Sequence, residues 1–231
     1  EVSAALSERF GVPPFSVLDT RQGYWQNRKR SWLSIGIKSE LGRDNNLSGS
    51  QKLKVGSKTG FSHIAQTTSV FDPVLCELAY KWFSPEGAVI LDPFAGGSVR
   101  GIVASKLNRN YIGVDLSSTQ IAENKVQGTK LCPERIPTWH CGDSNDILSI
   151  CPDVKADLLF TCPPYADLEV YSDDPKDISN MPYPEFLKIY REIIQKSCSL
   201  LSPDRFAAIV VGEVRGKDGS YYNFIGDTIT A

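Results

Sequence analysis

From position 71 onward the chain alternates short apolar runs with segments whose apolar residues recur at helical spacing. Within 74–83, Leu75, Leu78, Ala79 and Trp82 share one helix face, and Pro85-Glu86-Gly87 ends it. Residues 88–91 form an apolar run closed by Asp92, the pattern of a buried parallel strand. A helix is expected over 98–107, a second strand over 111–114 closed by Asp115, and a helix over 117–126 capped by Ser117 or Ser118. A third strand is expected over 138–141, ending at Gly142-Asp143, and a fourth over 156–161. Residues 183–201 predict a long helix, with Phe186, Leu187, Tyr190, Ile193, Ile194 and Leu201 near its period. Residues 206–211 predict a fifth strand, and 227–231 read as the start of another helix. Strands alternating with helices predict an α/β fold with a doubly wound, mostly parallel sheet, whose ligands sit at the carboxyl ends of its strands. A complete sheet of this kind needs further strands, so the C-terminal ones are expected to be missing from the chain.

Residues 1–66 lack this rhythm. They contain Pro13-Pro14, a basic-aromatic stretch over 21–32 and a Gly/Ser/Asn/Lys-rich run over 42–60 that reads as a flexible loop. The expected division is therefore an N-terminal extension, 1–66, and a catalytic domain, 67–231, incomplete at its C-terminus. The composition is that of a globular protein: 231 residues, 41% hydrophobic and 23% charged. The net charge of −2 means that a nucleic-acid partner must be met by a local patch. Arg21, Trp25, Arg28, Lys29, Arg30 and Trp32 supply the residue types for one, although a solvated helix face with a tryptophan on the core accounts for them equally well. Arg100, Lys106 and Arg109 read as ordinary surface charges. The six cysteines form no CxxC pair and only two histidines accompany them, so neither a metal site nor a disulfide framework is expected. No apolar run approaches about 18 residues, and no signal peptide is visible. A cytoplasmic protein without a membrane partner is expected.

The candidate chemistry lies at the strand ends. The first strand runs into Asp92-Pro93-Phe94-Ala95-Gly96-Gly97 and then Ser98, at the start of a helix. Glycines let the backbone approach a ligand closely, and a helix N-terminus offers N–H groups to a carboxylate or phosphate. Asp115, at the end of the second strand, is placed to accept hydrogen bonds from ribose hydroxyls. Dinucleotide and S-adenosylmethionine sites share this spacing, but GxGxxG is absent. Asp143 adds a polar group after the third strand, where an adenine amino group could be held. The fourth strand ends in Thr161-Cys162-Pro163-Pro164-Tyr165. Two prolines remove two donors and leave carbonyl oxygens beside an aromatic ring, an arrangement suited to an exocyclic amino group on a stacked base.

Together these loops resemble the S-adenosylmethionine-dependent DNA amino-methyltransferases that modify adenine N6 or cytosine N4, over roughly residues 68–212. Residues 92–97 resemble their DPFxGxG cofactor loop, and residues 161–165 their (Asp/Asn/Ser)-Pro-Pro-(Tyr/Phe) catalytic loop. Residues 69–72, containing Phe71, resemble a further cofactor-touching segment, and residues 167–175 resemble phage or prophage members. The resemblance implies a Rossmann-like class I methyltransferase fold with S-adenosyl-L-methionine as cofactor. It implies a cofactor site of Phe71, Asp92, Pro93, Phe94, Ala95, Gly96, Gly97, Ser98, Asp115, Leu116, Asp143 and Ser144, and a catalytic loop of Cys162, Pro163, Pro164 and Tyr165. DNA is the implied partner, with its target base flipped into the cleft, and adenine N6 is favoured over cytosine N4. Position 162 departs from the family, because a thiol is a poor acceptor. Cys162 is a tolerated small residue beside a working Pro163 carbonyl, a nucleophile as in carbon-5 pyrimidine methyltransferases, or a mark of weakened catalysis. An RNA or protein-glutamine methyltransferase, or a degenerate nucleic-acid-binding subunit, would carry the same loops.

Overall fold

The computed structural model describes residues 18–38, 70–165, 174–216 and 219–231. The 42–60 run, most of 167–175 and Ser69 lie outside the described residues.

The order is α1 (Gly23–Ser34), α2 (Pro73–Phe83), β1 (Val89–Asp92), α3 (Val99–Lys106), β2 (Asn110–Asp115), α4 (Ser118–Leu131), β3 (Thr138–Cys141), α5 (Ile147–Ile150), β4 (Ala156–Thr161), α6 (Tyr183–Ser199), β5 (Leu201–Ile209), β6 (Val214–Arg215), β7 (Tyr221–Tyr222) and α7 (Phe224–Ile229). Strands β1–β5 form one parallel sheet in the order β3-β2-β1-β4-β5, and β6 and β7 pair as a small antiparallel ribbon. The strand order reverses between β1 and β4, and the crevice at such a switch point is where open α/β sheets bind ligands. The expected doubly wound α/β sheet is present, with helices flanking both faces.

The strands are apolar on both faces, as parallel strands covered by helices must be. Ile90, Leu158 and Phe160 pack with Tyr80, Val99, Ile102 and Val103 on one side. Leu91, Val114 and Leu159 pack with Ile147 and Cys151 on the other. The start of α2 follows from chemistry at two positions: Pro73 occupies the first turn, and the Asp72 carboxylate accepts the Val74 N–H at 2.9 Å. Ser117 caps α4 in the same way.

Two regions differ from the sequence-based expectation, and at a third the structure favours one of two readings. The strand expected over 206–211 starts earlier, at Leu201, and the preceding helix ends at Ser199. Ser202-Pro203-Asp204 reads as a turn, but β5 is an edge strand that tolerates a proline. A register shift against β4 and a positive φ at Asp204 absorb the irregularity. The basic-aromatic stretch forms α1 and is largely consumed by packing on α2. Trp25 is buried and its indole N–H donates to Asp72, Trp32 donates to Glu77, Arg28 forks onto Glu77, and Lys29 pairs with Asp72 at 3.1 Å. Arg100 and Arg109, expected at the surface, are both buried. Arg109 binds the carbonyls of Tyr80 and Ser84, and Arg100 belongs to the site described next. No helix among the described residues is long and apolar enough to cross a membrane.

Candidate active site

The first loop, 92–98, is built around the Asp92 carboxylate, which is 0% exposed. One oxygen accepts from the Phe94 N–H at 3.2 Å and the Thr161 hydroxyl at 2.6 Å. The other accepts from the Arg100 guanidinium at 2.5 Å and the Tyr111 hydroxyl at 2.6 Å. All four donors belong to the protein. Asp92 therefore shapes the loop, and what the loop presents is mainly backbone. Arg100 also binds the Phe94 and Ala95 carbonyls, and its guanidinium lies 4.8 Å from the centre of the Phe71 ring. A buried guanidinium with a carboxylate, two carbonyls and an aromatic face is well compensated.

The turn continues through Ala95, whose N–H donates to the Val114 carbonyl, and Gly96, whose φ is +50°. Asn124, buried on α4, donates to the Gly96 carbonyl at 2.7 Å. At Gly113 on β2, a Cβ would stand 2.8 Å from the Ala95 Cβ, so the loop lies directly on the strand. Ser98 stands at the N-terminus of α3, but its own backbone is helical and its side chain does not cap the helix. Its hydroxyl is buried without a hydrogen-bond partner.

Asp115 ends β2 in the neighbouring cleft. Its carboxylate accepts the Gly96 N–H at 2.8 Å and the Ser117 N–H at 2.9 Å. Burial raises its pKa above the usual carboxylate value, and these two amide bonds offset part of that rise. Leu116 is half-buried, and its carbonyl accepts from the Cys141 thiol at 3.5 Å. Asp143 accepts the Asn145 N–H and opens a short 3-10 turn. Ser144 in that turn donates to the Pro93 carbonyl, tying the end of β3 to the first loop. Lys196 on α6 fixes the same turn through the Asn145 carbonyl and side chain.

The second loop leaves β4 beside the first. Thr161 is buried, its carbonyl accepts the Val210 N–H, and its hydroxyl makes the 2.6 Å bond to Asp92. Pro163 is buried, and among the described residues no donor reaches its carbonyl; Cys162, Pro164 and Tyr165 are half-buried. The Cys162 thiol lies 3.9 Å from the Tyr165 hydroxyl. The Tyr165 ring packs in a T-shaped arrangement with Phe224 on α7, with centroids 6.2 Å apart at 75°, and lies near Gly212. Phe94 of the first loop stacks on Tyr190 of α6 at 6.2 Å and 26°.

The structure thus brings residues 92–98, Asp115, Leu116, Asp143, Ser144 and 162–165 to the carboxyl ends of β1–β4, with Phe71 against the Arg100 side. Sequence reasoning missed Arg100, Tyr111, Gly113, Asn124, Tyr190 and Phe224, and it placed Thr161 in the second loop without its bond to Asp92. The one local signal among them was Asn124, a polar residue four positions after Gln120 on the inward face of a helix; Gln120 donates to it at 3.0 Å. No group of His, Cys, Asp and Glu among the described residues could hold a metal ion.

No curated protein matches the chain. Among solved structures, it is similar to TrmN from Thermus thermophilus at 15% identity and a TM-score of 0.48, covering 60% of this chain and 38% of that one. It is similar to the magnesium protoporphyrin IX methyltransferase from Synechocystis with bound SAH at 15% identity and a TM-score of 0.40, covering 57% and 48%. A TehB-like SAM-dependent methyltransferase from Corynebacterium glutamicum is similar at 18% identity and a TM-score of 0.44, covering 71% and 72%. The chain therefore spans well under two thirds of the length of the first two. Residues 22–125, from α1 through the first loop and Asp115 into α4, match the family model of the N6/N4 methyltransferases, described as DNA methylase.

Proposed function

We propose that this chain methylates the exocyclic amino group of a DNA base, N6 of adenine ahead of N4 of cytosine, using S-adenosylmethionine, the methyl donor of that family. The observation that carries this reading is the bond from the Thr161 hydroxyl to Asp92. It fastens the glycine loop and the Cys-Pro-Pro-Tyr loop side by side across the switch point, so that a cofactor and a base could meet there. The matched segment contains the first loop and Asp115 but ends before the second loop, so the target assignment rests on residues 162–165.

The residues suit the cofactor. The uncapped start of α3, the Gly97 backbone and the unpartnered Ser98 hydroxyl are suited to the amino-acid end. Asp115 would accept from the ribose hydroxyls. Leu116, Asp143 and Ser144 would flank the adenine, with Phe71 and residues 93–95 completing the pocket. When bound, the cofactor would supply an electrophilic methyl group on a sulfonium centre, its S–CH3 bond breaking to leave the neutral thioether S-adenosylhomocysteine.

The chain's own part is to position and polarise the acceptor. A base amino nitrogen shares its lone pair with the ring and is a weak nucleophile. A carbonyl that accepts one of its N–H bonds returns electron density to it and holds it in line. The Pro163 carbonyl fits that role, since Cys162 offers no strong acceptor. The Tyr165 ring would stack on a base taken out of the duplex, and the nitrogen would release one proton to solvent as the N–C bond forms. Arg28, Lys29, Trp25 and Trp32 are engaged with α2 and its cap Asp72, so a DNA contact from this region would fall to Arg21, just before α1, and Arg30 on it.

In a methylation assay on duplex DNA, Tyr165→Ala is expected to lower kcat/KM by about tenfold or more, a stacking contact being worth roughly 1–3 kcal/mol, and Pro163→Ala, which keeps the carbonyl but frees the backbone that aims it, is expected to lower kcat/KM as well. Unchanged activity in both variants would sink the assignment.

A further inference from the structure

The C-terminal helix α7 is six residues long, too short to hold a helical form by itself. It is clamped onto α6 by side chains. Asp227 accepts from the Tyr183 hydroxyl at 2.7 Å and from Arg191 at 3.0 Å, and the Tyr190 hydroxyl reaches the Thr228 hydroxyl at 3.1 Å. This clamp places Phe224, which is 1% exposed, among Phe186, Tyr190 and Tyr165, at centroid distances of 5.6, 5.3 and 6.2 Å. Tyr190 in turn stacks on Phe94. An aromatic series, Phe94–Tyr190–Phe224–Tyr165, therefore runs from the first loop to the second.

We propose that Phe224 is a positioning residue for Tyr165, so that α7 sets the ring on which the target base stacks. The proposal rests on the amino-methyltransferase reading of the second loop. Aromatic pairs favour the T-shaped arrangement seen here, so the Phe224 ring biases the orientation of Tyr165. Gly212 also lies near Tyr165: an added Cβ there would stand 3.8 Å from the Tyr165 Cε1. Removing the Phe224 edge would loosen the platform while leaving the polar network of the first loop in place.

The test labels Tyr165 as 3-fluorotyrosine and compares Phe224→Leu with the unsubstituted protein, using Phe224→Ala as the stronger variant where it folds. Leucine keeps much of the buried apolar volume and removes the ring edge. The expected result is a shifted and broadened 19F resonance and a kcat on unmethylated genomic DNA lowered about tenfold. Affinity for S-adenosylhomocysteine, measured by calorimetry, should stay within about twofold. A resonance that does not move overturns the proposal. So does a proportional fall of kcat and S-adenosylhomocysteine affinity, the pattern of a purely structural residue. If the unsubstituted protein does not methylate DNA, the amino-methyltransferase reading fails by itself, and the 19F resonance still decides whether Phe224 sets Tyr165.

Discussion

The two loops of the candidate site are held by opposite means. The loop after β1 is fixed by a buried polar network: Asp92 with four protein donors, Arg100 with three acceptors, and Asn124 on the Gly96 carbonyl. At the root of the loop after β4, the Thr161 hydroxyl donates to Asp92 and its carbonyl accepts the Val210 N–H, and farther out Tyr165 packs on the aromatic ring of Phe224 from α7. Buried hydrogen bonds to charged groups are strong and directional, and leaving one partner unpaired is costly. Aromatic contacts are weaker and tolerate small displacement. A loop that binds the same cofactor in every turnover suits the first construction. A loop that must admit and release a base suits the second.

The largest effect that would break this contrast is at Asp92. Asp92→Ala leaves the Arg100 guanidinium buried without its carboxylate and should cost about 3–5 kcal/mol in urea denaturation. A loss below about 1 kcal/mol would mean that the polar network is not what fixes the first loop. The next effect sharpens the second loop. Cys162→Asn introduces the acceptor that the family carries there. It should preserve DNA methylation and raise kcat by up to about tenfold, the worth of roughly one hydrogen bond. Abolished activity would instead identify Cys162 as a nucleophile.

The smallest effect concerns pH. The folded-state pKa of Asp115 is raised by burial, so ionising it costs stability at pH values above the ordinary aspartate range. That cost is relieved as pH falls through the raised value. Ligand affinity should run the other way, because a ribose hydroxyl needs the ionised carboxylate as acceptor. Calorimetric affinity for S-adenosylhomocysteine should therefore decline on acidification at a pH above the usual carboxylate range. Asp115→Asn should bind more weakly at neutral pH and lack this dependence. Identical pH profiles for the two proteins would remove Asp115 from the ribose site.

The contrast also explains what could be read from the sequence. Asp92, Gly96, Asp115 and Cys162–Tyr165 sit at the ends of apolar runs, where strand periodicity and turn chemistry are local signals, so the sheet and both loops were visible. The partners that hold them were not. Arg100 is one more charge on a helix until β1 brings Asp92 to it, and the bond from Thr161 to Asp92 exists only once β4 pairs beside β1. Phe224 reaches Tyr165 across 59 residues of sequence, and no local pattern announces such a contact. The basic-aromatic stretch over 21–32 had two readings of equal weight, and the buried carboxylate of Glu77 on α2 is what draws Arg28 and Trp32 inward.

The most direct test of the account is to incubate the protein with S-adenosylmethionine carrying a CD3 methyl group and unmethylated genomic DNA, digest the DNA to nucleosides, and locate the label by mass spectrometry. The account predicts CD3 on an exocyclic amino nitrogen, N6 of deoxyadenosine first. Label at carbon 5 of deoxycytidine, or none in DNA from protein that binds the cofactor, would contradict it.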